Sequence, residues 1–295
     1  MNRFRFIAAE EARFPIALLC RVLGVSRAGY YAWRDRPPSA RARADGEVTR
    51  RIHQIHAASR GTYGSPRVHA ELCATGLPCG RRRVARLMRL AGLAGCPRRR
   101  RQPRTTVRDR RALPAPDLVQ RAFRPVAPDR LWVADVTYVP TWEGWLYLAV
   151  VIDAWSRRVV GWAMADHLRT ELVLAALDMA LRRRRPAPGL VHHSDRGAQY
   201  TALAFGQRLR AAGLVASMGS VGDSYDNAVA ESFFATLKVE LLYRQPWPTH
   251  AAARSAIFEY TEAWYNRRRR HSTLGYLSPA DYERACHRRD DVVVA

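Results

Sequence analysis

The spacing of apolar residues changes character near residue 125. Before that point they recur at helical intervals between arginines; after it, β-branched and aromatic runs alternate with longer helical stretches. Pro15–Leu23 supplies one apolar helical face, Gly24 marks a turn, and a second helix follows with Ser26 as its cap and Tyr30, Tyr31 and Trp33 on its inner side. This spacing reads as a helix-turn-helix, and a small helical hairpin fits it equally well. A Pro-, Arg- and Ala-rich link over Asp35–Asp45 leads to a second helical unit. Its helices are expected over Val48–Ala58, from a Ser65 cap with Pro66 at the first position to about Thr75, and over Arg81–Leu93. In the third, Val84, Leu87, Met88 and Leu90 face inward, and Arg81, Arg82, Arg83, Arg86 and Arg89 mostly outward.

Downstream, strands are expected over Leu131–Val139, Trp145–Ile152 and Arg158–Ala165, joined by short turns. A helix over Thr170–Arg185, a strand over Gly189–His193, a helix over Ala202–Ala212 and a strand over Val215–Met218 follow. A last core helix spans Asn227–Tyr243, with Asp226 as its cap, and Ser278 and Pro279 start a short terminal helix.

Charge divides the chain at the same place. Of 49 Lys+Arg and 26 Asp+Glu, residues 1–125 hold 28 Arg and 8 acids, a net +20; residues 126–295 hold 21 basic and 18 acidic residues, a net +3. A basic front half on a near-neutral back half fits a polyanion-binding module tethered to a chemical domain. Pro97–Arg111 alone carries eight Arg and two Pro, the composition of an extended basic linker that orders on nucleic acid. Five cysteines without a C-x-x-C pair point to free thiols and a cytoplasmic location, and the longest apolar run, Trp145–Ile152, is too short to span a bilayer.

Three acids then draw attention. Asp135 interrupts the first strand, where a carboxylate is costly to bury without a partner or cation. Asp195 follows the apolar run Gly189-Leu190-Val191, and Glu231 lies one turn inside the last core helix. Any one alone is more often a cap, a turn residue or a solvated charge. Together they form the hard-oxygen donor set that Mg²⁺ or Mn²⁺ prefers, and two such ions serve phosphoryl transfer. Asp153, at the end of the second strand, is the rival ligand and reads as a turn residue. His192 and His193 have no further His or Cys at zinc spacing. The chain's single lysine, Lys238, lies seven residues after Glu231, on nearly the same helical face beside the stripe Ala230, Phe234, Leu237 and Leu241. It can hold a phosphate or be an ordinary surface lysine. Arg196 can contact a phosphate or brace its loop.

Several motifs occur in fixed order: Trp132-x-x-Asp135-x-Thr137, His193-Ser194-Asp195-Arg196-Gly197-x-Gln199-Tyr200, Asp226-Asn227-Ala228-x-x-Glu231-Ser232-Phe233-Phe234-x-x-Leu237-Lys238, and Tyr265-Asn266-x-x-Arg269-x-His271-x-x-Leu274-Gly275-Tyr276-x-Ser278-Pro279. Across nearly the whole chain they resemble the retroviral-integrase-like transposases of bacterial insertion sequences, and more narrowly the OrfB protein of insertion-sequence family three. The resemblance implies an α/β ribonuclease-H-like (integrase) catalytic core behind an N-terminal all-α helix-turn-helix DNA-binding region. The first and fourth strands would then lie side by side and bring Asp135 to Asp195, and the last core helix would deliver Glu231.

It further implies Mg²⁺- or Mn²⁺-dependent joining of transposon ends, assembly as a multimer on DNA, and an OrfA partner or frameshift fusion. DNA contacts fall on Lys238, Arg196, Arg81, Arg82, Arg83 and the run Arg98, Arg99, Arg100, Arg101. The domains expected are a helix-turn-helix over 1–45, a second DNA-binding helical unit over 46–96, the linker over 97–124, the core over 125–246 and a helical tail over 247–295. One loop departs from the family: Gly219-Ser220-Val221-Gly222-Asp223 has no basic residue where one or two are common. Beyond it, Arg267–Arg270 and His271 form a basic cluster that either touches DNA or docks the tail on the core. A nuclease of the same fold, or a regulator derived from a transposase, are the alternatives.

Overall fold

The computed structural model describes residues 3–97, 117–119, 125–219 and 228–293, and side chains of the final helix only to residue 286. The linker arginines Arg98–Arg101, the cap Asp226 and most of the loop over 219–223 lie outside the described residues.

At the front, α1 (Arg3–Glu10), α2 (Ile16–Val22) and α3 (Arg27–Arg34) close a small core around Ile7, Leu19, Cys20 and Tyr30. The turn between α2 and α3 is left-handed at Gly24, and the Ser26 hydroxyl accepts from the Gly29 amide as the expected cap. The link after α3 is mostly helical: α4 runs Ala40–Ala58, started after Pro38 by Ser39, whose hydroxyl accepts from the Ala42 amide at 3.1 Å. In α5 (Ser65–Ala74) Gly64 takes the cap position expected of Ser65, so Pro66 is the second helical residue. Helix α6 (Arg81–Leu90) ends three residues early, where Gly92 turns left-handed; Leu90, expected inside, is exposed.

Strands β1 (Leu131–Thr141), β2 (Gly144–Asp153) and β3 (Val159–Ala165) form an antiparallel meander, and β4 (Val191–Ser194) and β5 (Val215–Met218) add in parallel, in the order β3-β2-β1-β4-β5. Strand β4 starts later than expected because Gly189, at φ 92°, belongs to the turn before it. Alternation along β1 and β2 sends Val133, Leu146, Leu148 and Val150 to one face and Trp132, Ala134, Ala149 and Val151 to the other. Helices α7 (Thr170–Arg184), α8 (Ala198–Thr201) and α9 (Leu203–Ala211) cover the second face.

Helices α10 (Ala228–Glu240) and α11 (His250–Glu259), with a π-helical turn at Tyr260–Tyr265, cover the first. The same core runs on without a break into Val48, Ile52, Val68, Leu72 and Val84 of α4–α6, so the second helical unit and the sheet share one interior. The tail closes with α12 (Pro279–Val293), longer than expected, with the Ser278 hydroxyl accepting from the Asp281 amide. No described helix is long and apolar enough to cross a membrane.

Candidate active site

Strand pairing decides where the two aspartates meet. The parallel ladder of β1 and β4 sets Trp132 beside His192 and Val133 beside His193. Asp135 and Asp195 each stand two residues beyond that last pair, at the same end of neighbouring strands, which lie ~4.8 Å apart in a sheet. Their electrostatics report the meeting. Burial, then the negative charge of Asp195, push the Asp135 carboxyl well above the usual range, against the Val136 amide and Lys238. Burial also raises Asp195, against the Gly197 amide. Each carboxylate has one oxygen fixed locally: Asp135 Oδ1 accepts from Val136 N–H at 2.7 Å and Asp195 Oδ1 from Gly197 N–H at 3.0 Å.

Helix α10 brings the third acid. Ala230, Phe233, Phe234 and Leu237 are buried against the sheet, each large side chain worth roughly 1.5–3 kcal/mol. That stripe fixes the helix's rotation and leaves Glu231 exposed in its first turn, with its charge acting on Asp135. Among the described residues no three His, Cys, Asp or Glu side chains stand as a ready metal-binding group.

Lys238 is half-buried on the same side. Its Nζ lies 5.5 Å from the centroid of the Tyr138 ring, which Trp145 meets edge-on at 4.9 Å. Burial lowers its pKa and the charge of Asp135 opposes that. Tyr200 was not singled out by the sequence, although it ends a quoted motif. It is buried beside the aspartates, with a hydroxyl that finds no partner among the described residues, and burial and the charges of Asp135 and Asp195 push it well above its ordinary pKa. Adjacent acids in a low-dielectric site and an orphaned hydroxyl beside them are an environment short of positive charge, and their oxygen donors fit a hard divalent cation.

The remaining expected residues fall into different roles. Asp153 is a turn residue: its carboxylate accepts from the amides of Asp129, Trp155 and Ser156, and burial pushes its pKa up to about 6. Arg196 donates Nε–H to the Gly219 carbonyl at 2.7 Å, bracing the ends of β4 and β5. Arg81 and Arg82 are exposed on α6, whereas Arg83 and Arg86 are both paired with Asp45. His193 Nδ1 meets Ser217 Oγ at 2.9 Å, and His192 packs against Phe205 and Tyr200.

From the tail cluster, Arg269 is buried on Glu240 and Arg270 pairs with Glu71, so these two dock the tail; Arg267 and Arg268 are exposed. Asn266 clamps the start of β3, bonding both the amide and the carbonyl of Val159.

Comparison with known proteins gives this arrangement a family. Residues 125–224 and 212–279 each match a model described as integrase core domain, and residues 43–102 match an HTH-like domain. The fold and these matches define a protein with an integrase core behind a helix-turn-helix-like unit.

A transposase for insertion sequence element IS629 from Shigella sonnei is 42% identical, covering 92% of this chain and 93% of that protein. The transposase InsF for insertion sequence IS3A from Escherichia coli K12 is 38% identical over 95% of this chain and 98% of its own length. An uncharacterized 31 kDa protein of insertion element IS600, also from Shigella sonnei, is 44% identical over 91% and 98%. The chain belongs to the integrase-core transposases of bacterial insertion sequences, within family three. Among solved structures, the catalytic core domain of BIV integrase is similar over 55% of this chain and 98% of that one, with 21% identity and a TM-score of 0.41.

Proposed function

We propose that this chain is a DNA transposase that cuts the ends of its insertion sequence and joins them to target DNA by in-line phosphoryl transfer. Asp135, Asp195 and Glu231 serve as the carboxylates that hold two Mg²⁺ or Mn²⁺ ions. The observation that carries the reading is the alignment of Asp135 and Asp195 at one end of neighbouring parallel strands, each carboxyl raised by burial. When bound, the ions supply positive charge to the phosphoryl oxygens and acidify the attacking hydroxyl of water or of a DNA 3′ end.

The protein's part is positioning. The Val136 and Gly197 amides orient the aspartates and leave the second oxygen of each for other partners. Glu231, exposed on the first turn of α10, completes the donor set when DNA and metal are bound. Lys238 offers its ammonium to a backbone phosphate at the site's edge, oriented by the Tyr138 ring. Arg81 and Arg82, with Arg98–Arg101 of the linker, neutralise phosphates of the bound ends, and Arg196 acts through the loop it braces. Assembly as a homo-oligomer on DNA, a cytoplasmic location and an OrfA partner or fusion belong to the same reading.

The test is a joining assay with labelled duplexes carrying the element's terminal repeats and Mg²⁺. Wild-type protein is expected to give joined products, and Asp195→Asn to bind the DNA equally while joining falls at least about a hundredfold. Joining by Asp195→Asn at the wild-type rate would remove that residue from the catalytic set. Cut but unjoined DNA would mark a nuclease, and binding without either product a regulator.

A further inference from the structure

Tyr200 carries a hydroxyl that the fold buries and leaves unpaired. The residue is 4% exposed, and its oxygen finds no hydrogen-bond partner among the described residues. The ring itself is well held. Phe205 meets it edge-on at 5.3 Å between centroids, and the His192 ring lies at 6.3 Å. A phenylalanine would fill the same space without desolvating a polar group, so packing does not account for the oxygen.

Backbone and core both tie this side chain to the aspartates. Gly197, the cap of α8, donates its amide to Asp195 Oδ1 at 3.0 Å, and its carbonyl accepts from the Tyr200 amide at 3.0 Å. Helix α8 is a single turn, ended by extended backbone at Ala202, so Asp195 and Tyr200 share one short segment. On the sheet side, Tyr200 belongs to the core cluster that contains Ala134 and against which Val136 packs, the two neighbours of Asp135 in β1. Burial, then the negative charges of Asp135 and Asp195 in that order, push the phenol well above its ordinary pKa. It keeps its proton and can donate. Each aspartate beside it has one oxygen held by a backbone amide, and a carboxylate has about four acceptor sites.

We infer that Tyr200 is a positioning residue: its hydroxyl donates to Asp135 when the aspartate pair holds a divalent cation. Groups that hydrogen-bond to a ligating carboxylate fix its orientation and tune its hold on the ion. The Val136 amide does this for Asp135 from the strand, and Tyr200 does it from beneath the sheet's other neighbour, the turn after β4. The unpaired hydroxyl is then a cost of the metal-free fold that is recovered on loading. The inference rests on the metal-holding role given to Asp135 and Asp195 above.

The experiment compares Tyr200→Phe with wild type as the full chain, without DNA, by Tm in chelator and by Mn²⁺ titration followed by EPR. Asp195→Asn identifies the Mn²⁺ that is bound at the aspartates. Tyr200→Phe keeps the ring, so its Tm in chelator is expected to equal or exceed that of wild type. Its affinity for that Mn²⁺ is expected to fall about tenfold. A purely structural hydroxyl would give the opposite pattern. A lower Tm in chelator would mean that the oxygen already has a partner, such as a water shared with the unpaired Nε2 of His192, and would overturn the proposal. An unchanged Mn²⁺ affinity would overturn it as well, whatever the Tm. If Asp195→Asn loses Mn²⁺ while Tyr200→Phe does not, the positioning role alone falls. If Asp195→Asn binds Mn²⁺ as wild type does, the ion is not held by the aspartates, and the metal reading falls together with the role of Tyr200.

Discussion

At Asp135 a carboxylate stands in a strand whose neighbours are Val133, Ala134 and Val136, and the strain is electrostatic: burial and Asp195 both oppose its charge. The sequence singled out Asp195 and Glu231 together with Asp135 because the three fall within motifs in fixed order. Tyr200 and Tyr138 were not legible, because aromatic residues in such segments fill cores by default and only their neighbours show otherwise.

His192 gives a pH test away from the site's own titration. It is 1% exposed, its Nε2 has no partner among the described residues, and burial lowers its pKa from 6.5 to about 4. The folded form stays neutral while the unfolded chain takes up a proton, so stability is full above about pH 6.5 and is lost as pH falls towards 4, by roughly 3 kcal/mol from this group. His271 acts in the same direction. His192→Leu is therefore expected to lose less stability than wild type between pH 7 and pH 4.5 in denaturant titrations; equal losses would show that His192 is already protonated or hydrated in the fold.

Among the elements, α10 shows how one helix presents two polar faces. Its apolar stripe fixes the rotation, which sends Glu231 and Lys238 one way and Ser232 and Glu240 another. The stripe was readable from spacing, but its second polar face was not, because Glu240 meets Arg67 and Arg269 from far away in the chain. The packing of β3 on α7 makes a sharper case. A Cβ on Gly161 would lie 2.2 Å from the Ala176 carbonyl and 2.8 Å from the Ala180 methyl. Gly161→Ala is expected to destabilise by about 1–3 kcal/mol in chemical melts, since helix backbone must retreat. A neutral result would mean that α7 sits further from the sheet. Helix ends were the weakest part of the sequence reading: α4 begins earlier and α6 stops sooner than expected, as capping geometry outweighs periodicity in the last turn.

At the scale of the molecule, Glu240 joins the sheet domain, the tail and the second helical unit. Its carboxylate, 6% exposed, ties α10 to Arg269 of the tail and to Arg67 of the helical unit, while Tyr63 accepts from the Arg270 amide and Arg67 donates to the Arg270 carbonyl. Arg269 lowers the Glu240 pKa against burial, and Glu240 raises that of Arg269, so both partners hold their charges. Removing one partner of a buried pair leaves the other uncompensated. Arg269→Met is expected to cost about 3–5 kcal/mol in equilibrium unfolding, at the lower end because Arg67 and Tyr260 remain; a loss below 1 kcal/mol would mean Glu240 is satisfied without Arg269.

By itself the sequence determined the order of the main elements, the charge asymmetry between the two halves and the motifs in which the three acids stand. Those properties are local: apolar period, strand composition and ordered motifs are carried within a few tens of residues. Only the tertiary structure decided that Arg83 is paired to Asp45 and that Arg269 is buried against Glu240. It also decided that the helical unit and the sheet share one core. Each of those facts depends on which distant group supplies a partner, and burial turns an ordinary surface charge into a fixed one only after the chain has closed around it.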